Sequence, residues 1–303
     1  MYSKVADYFH ENAILKSWPE SQELLLSIIN EKPRHICVPE VIAGCYGKSE
    51  QVLFSATISL ALAYAGIVIL DDVLDGDQRY GADGAGLANM AAALFSLASL
   101  ELANISGSAT ISLLAQKVLS EMLFTVALGQ SLDVQNPDTE EGYWRVAKLK
   151  SGAFFKCAFL LGGLAGAVPD ADMETLGLLG EEYGLLFQIH DDLTDSLEVP
   201  ANSDWLNGRF TLPLLFAHTV DHPWKKRFIS VQKDVGDPEM LTEAQAILVQ
   251  CGALSYGLFQ IQEHASRVED LLSKLNLADL GEIHQLFDEL ITPAEDLVNA
   301  ATD

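Results

Sequence analysis

An uncharged run from Val52 to Leu70 leads without a break into Asp71 and Asp72. No other stretch restricts the fold as tightly. It is long enough to cross a bilayer. However, Ala, Ser, Thr and Gly are spread among its larger apolar residues, and a pair of acids closes it. These features predict a helix buried at the centre of a helical protein, apolar on every side because other helices surround it. Ser49, Ser106-Gly107, Pro137-Asp138, Pro169-Asp170, Pro200, Pro223 and Asp237-Pro238 punctuate the chain as helix starts and turns. Between them, residues such as Tyr143, Ala147, Lys150 and Phe154 follow helical spacing, and sustained period-2 alternation is missing. The sequence therefore predicts an all-α fold: one domain over residues 1–303, with about ten or more helices bundled around a central apolar cavity.

Charge narrows the function. Against 43 Asp+Glu stand only 18 Lys+Arg, a net charge of −25. Such a surface repels nucleic acid and anionic bilayers, so neither nucleic-acid binding nor stable membrane insertion is expected. An anionic substrate would need metal cations or a local basic cluster. Cys37, Cys45, Cys157 and Cys251 form no CxxC pair and sit among apolar residues. They read as buried thiols in a reducing, cytoplasmic compartment. Met1 to Trp18 is polar and mixed in charge, and no signal peptide is visible there.

The chemistry is carried by two short motifs, Asp71-Asp72-Val73-Leu74-Asp75 and Asp191-Asp192-Leu193-Thr194-Asp195. In each, the first and last Asp stand one helical turn apart on a shared face, and the middle Asp sits about 100° round the axis. Both motifs end apolar helices. Clustered carboxylates repel one another and raise each other's pKa unless something pairs with them. Hard divalent cations resolve the conflict, because Mg2+ takes a few carboxylates and keeps other positions for water and phosphate oxygens. Asp71, Asp72, Asp75, Asp191, Asp192 and Asp195 are thus candidate Mg2+ ligands around one diphosphate, with the metals neutralising charge on the leaving group as an allylic C–O bond ionises.

The ensemble of motifs resembles the trans-polyprenyl diphosphate synthases, a family of class I isoprenoid enzymes, from about Lys32 to Pro213. The two acidic motifs match that family's Asp-rich elements, the second within Phe187-Gln188 through Asp195. Arg79-Tyr80-Gly81 falls where the family has Arg-Arg-Gly, and Gly129-Gln130 with Asp133 matches GQxxD. Lys150-Ser151-Gly152 matches a Lys-Thr-Gly element, and Asn207-Gly208-Arg209 before Thr211-Leu212-Pro213 matches Gly-Lys-x-Thr-Leu-Pro with Arg for Lys. The resemblance implies three Mg2+ ions, an allylic prenyl diphosphate as substrate and a homodimer. It also implies catalytic roles for Asp71, Asp72, Asp75, Asp191 and Lys150, and diphosphate contacts from Arg79, Lys150, Gln188 and Arg209. Arg at 209 keeps the charge and adds bidentate phosphate contact. Gln188 lies one turn before Asp191 and Asp192, on their side, whereas His190 points away.

The sequence departs from the family where isopentenyl diphosphate, the second substrate, would bind. The family's N-terminal Gly-Gly-Lys-Arg-x-Arg-Pro aligns with Asn30-Glu31-Lys32-Pro33-Arg34-His35. Glu31 stands where Lys is expected unless Lys32 serves after a one-residue shift, and Arg34 fits the later Arg. Tyr64 replaces a His, and Tyr80 the second Arg of Arg-Arg-Gly. Charge-assisted contacts contribute roughly 1.5–3 kcal/mol each, so losing three would weaken binding by several orders of magnitude. The pattern therefore favours an enzyme that ionises an allylic diphosphate and then cyclises the cation, as a terpene synthase does, or passes it to another acceptor. The alternatives are a chain-elongating synthase that still uses isopentenyl diphosphate through Lys32 and Arg34, and a catalytically silent partner subunit.

The prenyl tail needs a dry pocket. In the family its floor lies just before the first Asp motif, here Gly66 and Ile67. Gly66 is small and leaves room, so a C15 or C20 chain is expected. Phe154, Phe155 and Phe187 flank the motifs and offer ring faces to a cation.

Overall fold

The helix Glu50–Asp75 is filled by Ala, Leu, Ile and Val, contains no Pro, and buries residues all round its circumference from Val52 to Asp72. It packs against Gly84–Ala103, Pro33–Tyr46 and Ala153–Ala165, which is why it can be apolar on every face. The protein is described by a computed structural model covering residues 2–31, 33–46, 50–81, 83–105, 108–275 and 280–302. Lys32, Ser49 and Ser106-Gly107, singled out in the sequence, lie outside the described residues. Every regular element among those described is helical, as the missing alternation predicted.

The chain forms two compact units. The first comprises Met1–Ala127, Ala153–Gly180 and Leu275–Ile283. It holds the Glu50–Asp75 helix and the first acidic motif. Its N-terminal helix Tyr2–Glu11 is tied down by Tyr8, whose hydroxyl donates to buried Glu101 Oε1 at 2.6 Å. The second comprises Leu128–Gly152, Glu181–Lys274 and His284–Asp303. It holds the second acidic motif and the helices Glu140–Ala147, Ser203–Asn207, Leu212–Thr219 and Ala253–Leu272. Trp205 anchors this unit: it is buried, and its indole Nε1 donates to Ser196 O at 3.2 Å. A buried polar tip with a partner costs little, while the ring body supplies packing. Glu182 and His264, both largely buried, pair at 2.6 Å.

Three helices, Glu50–Asp75, Gly84–Ala103 and Ala109–Asp133, are long and apolar enough to cross a membrane by length and composition. The most apolar stretch of the first is 72% buried inside the protein, against 39% and 28% for the others. The expected interior helix is therefore found, with two more long apolar helices in the chain. Of the four cysteines, all free, Cys45 and Cys157 are buried, whereas Cys37 and Cys251 are only half-buried. The expectation of four buried thiols is corrected to that extent.

Candidate active site

Helical rotation decides which aspartates face inward. In both motifs the middle residue turns toward the interior: Asp72 is 7% exposed and Asp192 3%, while Asp71, Asp75, Asp191 and Asp195 stay half-buried. The two buried carboxylates are held differently.

In the first unit, the chain turns after Asp75 through residues in the left-handed region, Gly76 at φ 77° and Gln78 at φ 55°. This brings the Arg79 backbone N–H back to Asp72, 2.7 Å from Oδ1. Asp72 Oδ2 is buried and has no hydrogen-bond partner. The Arg79 guanidinium, 65% exposed, donates to the Tyr80 hydroxyl at 3.3 Å and lies 3.7 Å from Glu31. Tyr64 meets two rings, His35 at 5.5 Å and Phe154 at 5.6 Å, and His35 also meets Phe155 at 5.5 Å. An imidazole thus stands beside the position where the sequence had lost one, contributed by residue 35 instead of 64. Gly66 does not leave open space. A methyl group added there would stand 2.5 Å from Phe95 Cε1, because the Phe95 ring fills the room the glycine provides. The expectation of vacant volume at Gly66 is corrected: Phe95, from the 84–103 helix, occupies it.

In the second unit, Lys150 does not continue the helical spacing read from Tyr143 to Phe154. Residues Lys148–Gly152 form a π-helical turn between two α-helices, a widened turn that re-aims side chains and recurs at functional sites. Room for it comes from glycines. A Cβ on Gly184 would overlap the Ser151 carbonyl oxygen, and one on Gly129 would lie 2.9 Å from Lys150 Cγ. The turn delivers Lys150 Nζ to Asp133 Oδ2 at 2.6 Å and Ser151 Oγ to Gln188 Oε1 at 2.7 Å. Gln188 Nε2 donates in turn to Asp192 Oδ1 at 2.8 Å, and the Leu212 N–H donates to Asp192 Oδ2 at 2.7 Å. Both oxygens of Asp192 therefore have partners. Burial pushes its carboxyl up to about 7 against these stabilising hydrogen bonds. Tyr143, fully enclosed nearby, is raised well above the usual phenol range, first by burial and then by the charge of Asp192. Arg209 donates to the Asp133 carbonyl oxygen at 2.9 Å, so Asp133 anchors Lys150 by its side chain and Arg209 by its backbone.

The structure thus gathers Lys150 and Arg209 on Asp133, and Gln188 with the Leu212 N–H on Asp192, two clusters joined through the adjacent Lys150 and Ser151, and brings Asp72 and Arg79 together in the other unit. Sequence reasoning named Ser151 only within the Lys150-Ser151-Gly152 element and Tyr143 only for its helical spacing, and it missed Asn136, whose amide bonds Gly208 O and Phe210 N. The donor chemistry suits a hard cation, since Asp72 keeps one buried, unpartnered carboxylate oxygen. Among the described residues no three His, Cys, Asp or Glu side chains converge into a ready-made cage. Mg2+ rarely uses such cages, taking one or two carboxylates and completing its shell with phosphate and water.

Comparison with known proteins adds a consistent frame. The family model described as polyprenyl synthetase matches residues 40–248. A short chain isoprenyl diphosphate synthase from Methanothermobacter thermautotrophicus is 26% identical, over 97% of this chain and 97% of its own. A geranylfarnesyl diphosphate synthase from Aeropyrum pernix is 25% identical, over 79% of this chain and 80% of its own. Among solved structures, geranylgeranyl pyrophosphate synthetase from Pyrococcus horikoshii superposes with a TM-score of 0.76 at 19% identity, covering 98% of this chain and 94% of that one. These relatives are named for making prenyl diphosphates. The preference for cyclisation or a non-standard acceptor finds no support among them, and the chain-elongating alternative fits better.

Proposed function

The chain belongs to the polyprenyl synthetase family, and we propose that within it this protein is a chain-elongating trans-prenyl diphosphate synthase of short-chain type. It joins isopentenyl diphosphate to an allylic prenyl diphosphate. The allylic C–O bond breaks, its electron pair leaves with the diphosphate, the isopentenyl alkene forms a new C–C bond to the cation, and loss of a proton restores an alkene. The observation that carries this reading is the second unit's network, in which Lys150, Gln188 and Arg209, all matched to family motifs, are fixed around Asp133 and Asp192.

Lys150 and Arg209 present positive charge to the allylic diphosphate, and their anchoring on Asp133 removes most of the reorganisation that binding would otherwise require. Asp71, Asp72 and Asp75 in one motif, and Asp191 and Asp195 in the other, would hold Mg2+, which when bound neutralises charge on the departing diphosphate. For the acceptor, Arg34 keeps the later Arg of the N-terminal element, and the imidazole of His35 beside Tyr64 would stand in for the His the sequence had lost. Phe95 against Gly66 closes the space before the first motif, which supports a short product chain. The apolar residues Leu113 and Phe124, 69% and 75% exposed on the 109–133 helix, support a homodimer in which a second copy covers them.

The test is an assay of the purified protein with Mg2+ and geranyl, farnesyl or geranylgeranyl diphosphate, with and without isopentenyl diphosphate. Longer prenyl diphosphates should appear only when isopentenyl diphosphate is present, and Phe95→Ala should lengthen them by at least one C5 unit. Hydrocarbons or alcohols formed from the allylic diphosphate alone would sink the proposal and restore the cyclase reading. An equimolar partner in native pull-down, with no activity from the chain alone, would favour the silent-subunit reading.

A further inference from the structure

Arg209 follows directly on the end of a short helix. The Ser203–Asn207 helix ends at Gly208, in the left-handed region at φ 62°, and the next helix begins only at Leu212. The Arg209 N–H donates back to Asp204 O at 2.9 Å, which fixes that nitrogen and leaves the Gly208 carbonyl and the Phe210 N–H to other partners. Two side chains from distant positions in the same unit fasten this stretch. Asp192 takes the Leu212 N–H at its far end. Asn136 fastens its near end with both halves of its amide: Nδ2 donates to Gly208 O at 2.9 Å, and Oδ1 accepts from Phe210 N at 3.0 Å. The two backbone groups lie on either side of Arg209, so one amide straddles the residue. The other end of the guanidinium is steadied by Asp133 O at 2.9 Å.

Asn suits position 136 on two counts. Its backbone is left-handed, φ 49°, a conformation Asn tolerates better than most residues. Its side chain is one of only two that carry a donor and an acceptor on a single short planar group, and this clamp uses both. Ionised Asp, which only accepts, would satisfy Phe210 N and not Gly208 O.

We propose that Asn136 is a positioning residue for Arg209, holding the 208–210 backbone so that the guanidinium is already placed when the substrate's diphosphate arrives. The inference rests on the reading of Arg209 as a diphosphate ligand. Asn136 itself touches no substrate and acts only through the geometry of Arg209. Removing it frees the loop, so the cost falls on binding more than on turnover.

The experiment is a double-mutant cycle between Asn136→Gly and Arg209→Ala, since coupling is the signature of one residue acting through another. Glycine keeps the left-handed backbone accessible and deletes both clamp bonds. Binding of inorganic pyrophosphate in the presence of MgCl2 is measured by calorimetry, KM and kcat are measured with the allylic diphosphate, and hydrogen exchange is followed at the Phe210 amide. Asn136→Gly should weaken pyrophosphate binding and raise KM by about tenfold, change kcat by less than about threefold, and speed exchange at Phe210. In the Arg209→Ala background it should have no further effect on binding. An equal loss in both backgrounds overturns the proposal, and so does an unchanged affinity in Asn136→Gly while Arg209→Ala binds weakly. If Arg209→Ala itself binds pyrophosphate as tightly as the parent, the reading of Arg209 as a diphosphate ligand fails and the positioning role fails with it. Should Asn136→Gly lose its cooperative unfolding transition, Asn136→Asp takes its place in the cycle, keeping the acceptor for Phe210 N and losing the donor to Gly208 O. The same pattern of loss in the parent and none in the Arg209→Ala background is then required.

Discussion

Asp72 and Asp192 occupy equivalent places in two motifs of the same spacing, each turned inward at the end of a long helix, yet their surroundings differ. Asp72 uses one oxygen on the Arg79 backbone N–H and leaves the other buried without a partner. Asp192 has both oxygens engaged, one by Leu212 N and one by Gln188. A buried carboxylate with an open oxygen is costly unless something is meant to bind it. One with both oxygens occupied is already part of the framework. The same five-residue spacing therefore supports two uses: a carboxylate with an oxygen left for a cation, and a carboxylate that ties a neighbouring helix start to the motif. The outward residues, Asp71 and Asp75 in one motif and Asp191 and Asp195 in the other, do not show this split.

The largest expected effects fall on those outward residues. Asp71→Ala and Asp191→Ala should each lower kcat by roughly a thousandfold, about 4 kcal/mol of transition-state stabilisation, with little change in unfolding midpoint. If both variants retain near-parental turnover across a range of Mg2+ concentrations, the motifs do not hold the metal. The inner pair should separate by stability. Asp192→Ala strips acceptors from two donors in a fully buried setting and should cost ~2–4 kcal/mol in urea unfolding. Asp72→Ala deprives only the Arg79 N–H, at the start of an exposed turn, and should cost ~1 kcal/mol or less while still reducing activity. Equal destabilisation by the two substitutions would erase the comparison.

Much of this was legible before any coordinates. The uncharged run before Asp71 and the lack of alternation gave the helical class, because periodicity is a local property of the chain. The motif spacing pointed to the acidic positions, and the family resemblance to Lys150. The sequence could not say that a π-helical turn carries Lys150, since a widened turn is set by glycines at positions 129 and 184 that are remote along the chain. Nor could it foresee Phe95 against Gly66, or Asn136 spanning Gly208 and Phe210, because tertiary contacts between helices leave no short-range pattern. The same gap bears on the preference for cyclisation, which the relatives do not support. Counting Glu31, Tyr64 and Tyr80 as lost cations is sound residue by residue, but it cannot register that His35 stands against Tyr64.

The smallest expected effect tests how much that lost charge matters. Tyr80 now accepts a hydrogen bond from Arg79 at 3.3 Å, and Glu31 lies 3.7 Å from the same guanidinium. Both partners of the Arg79–Glu31 pair are at least half exposed, so their attraction is screened and weak. Tyr80→Arg restores the residue type that the family pattern has at this position. It places a second guanidinium beside the first, and repulsion between the two is relieved only when an anion arrives. If isopentenyl diphosphate binds near this turn, Tyr80→Arg should lower its KM by about fivefold, roughly 1 kcal/mol, and leave the KM of the allylic diphosphate unchanged. A fall in both KM values would mean that the added charge acts at long range on any anion, and the effect would then fade in 0.5 M salt, where the screening length is only about 4 Å. No change in either would place the acceptor diphosphate away from Tyr80, leaving Arg34 as its matched cation among the described residues and making the first unit's turn, unlike the second unit's network, a holder of metal alone.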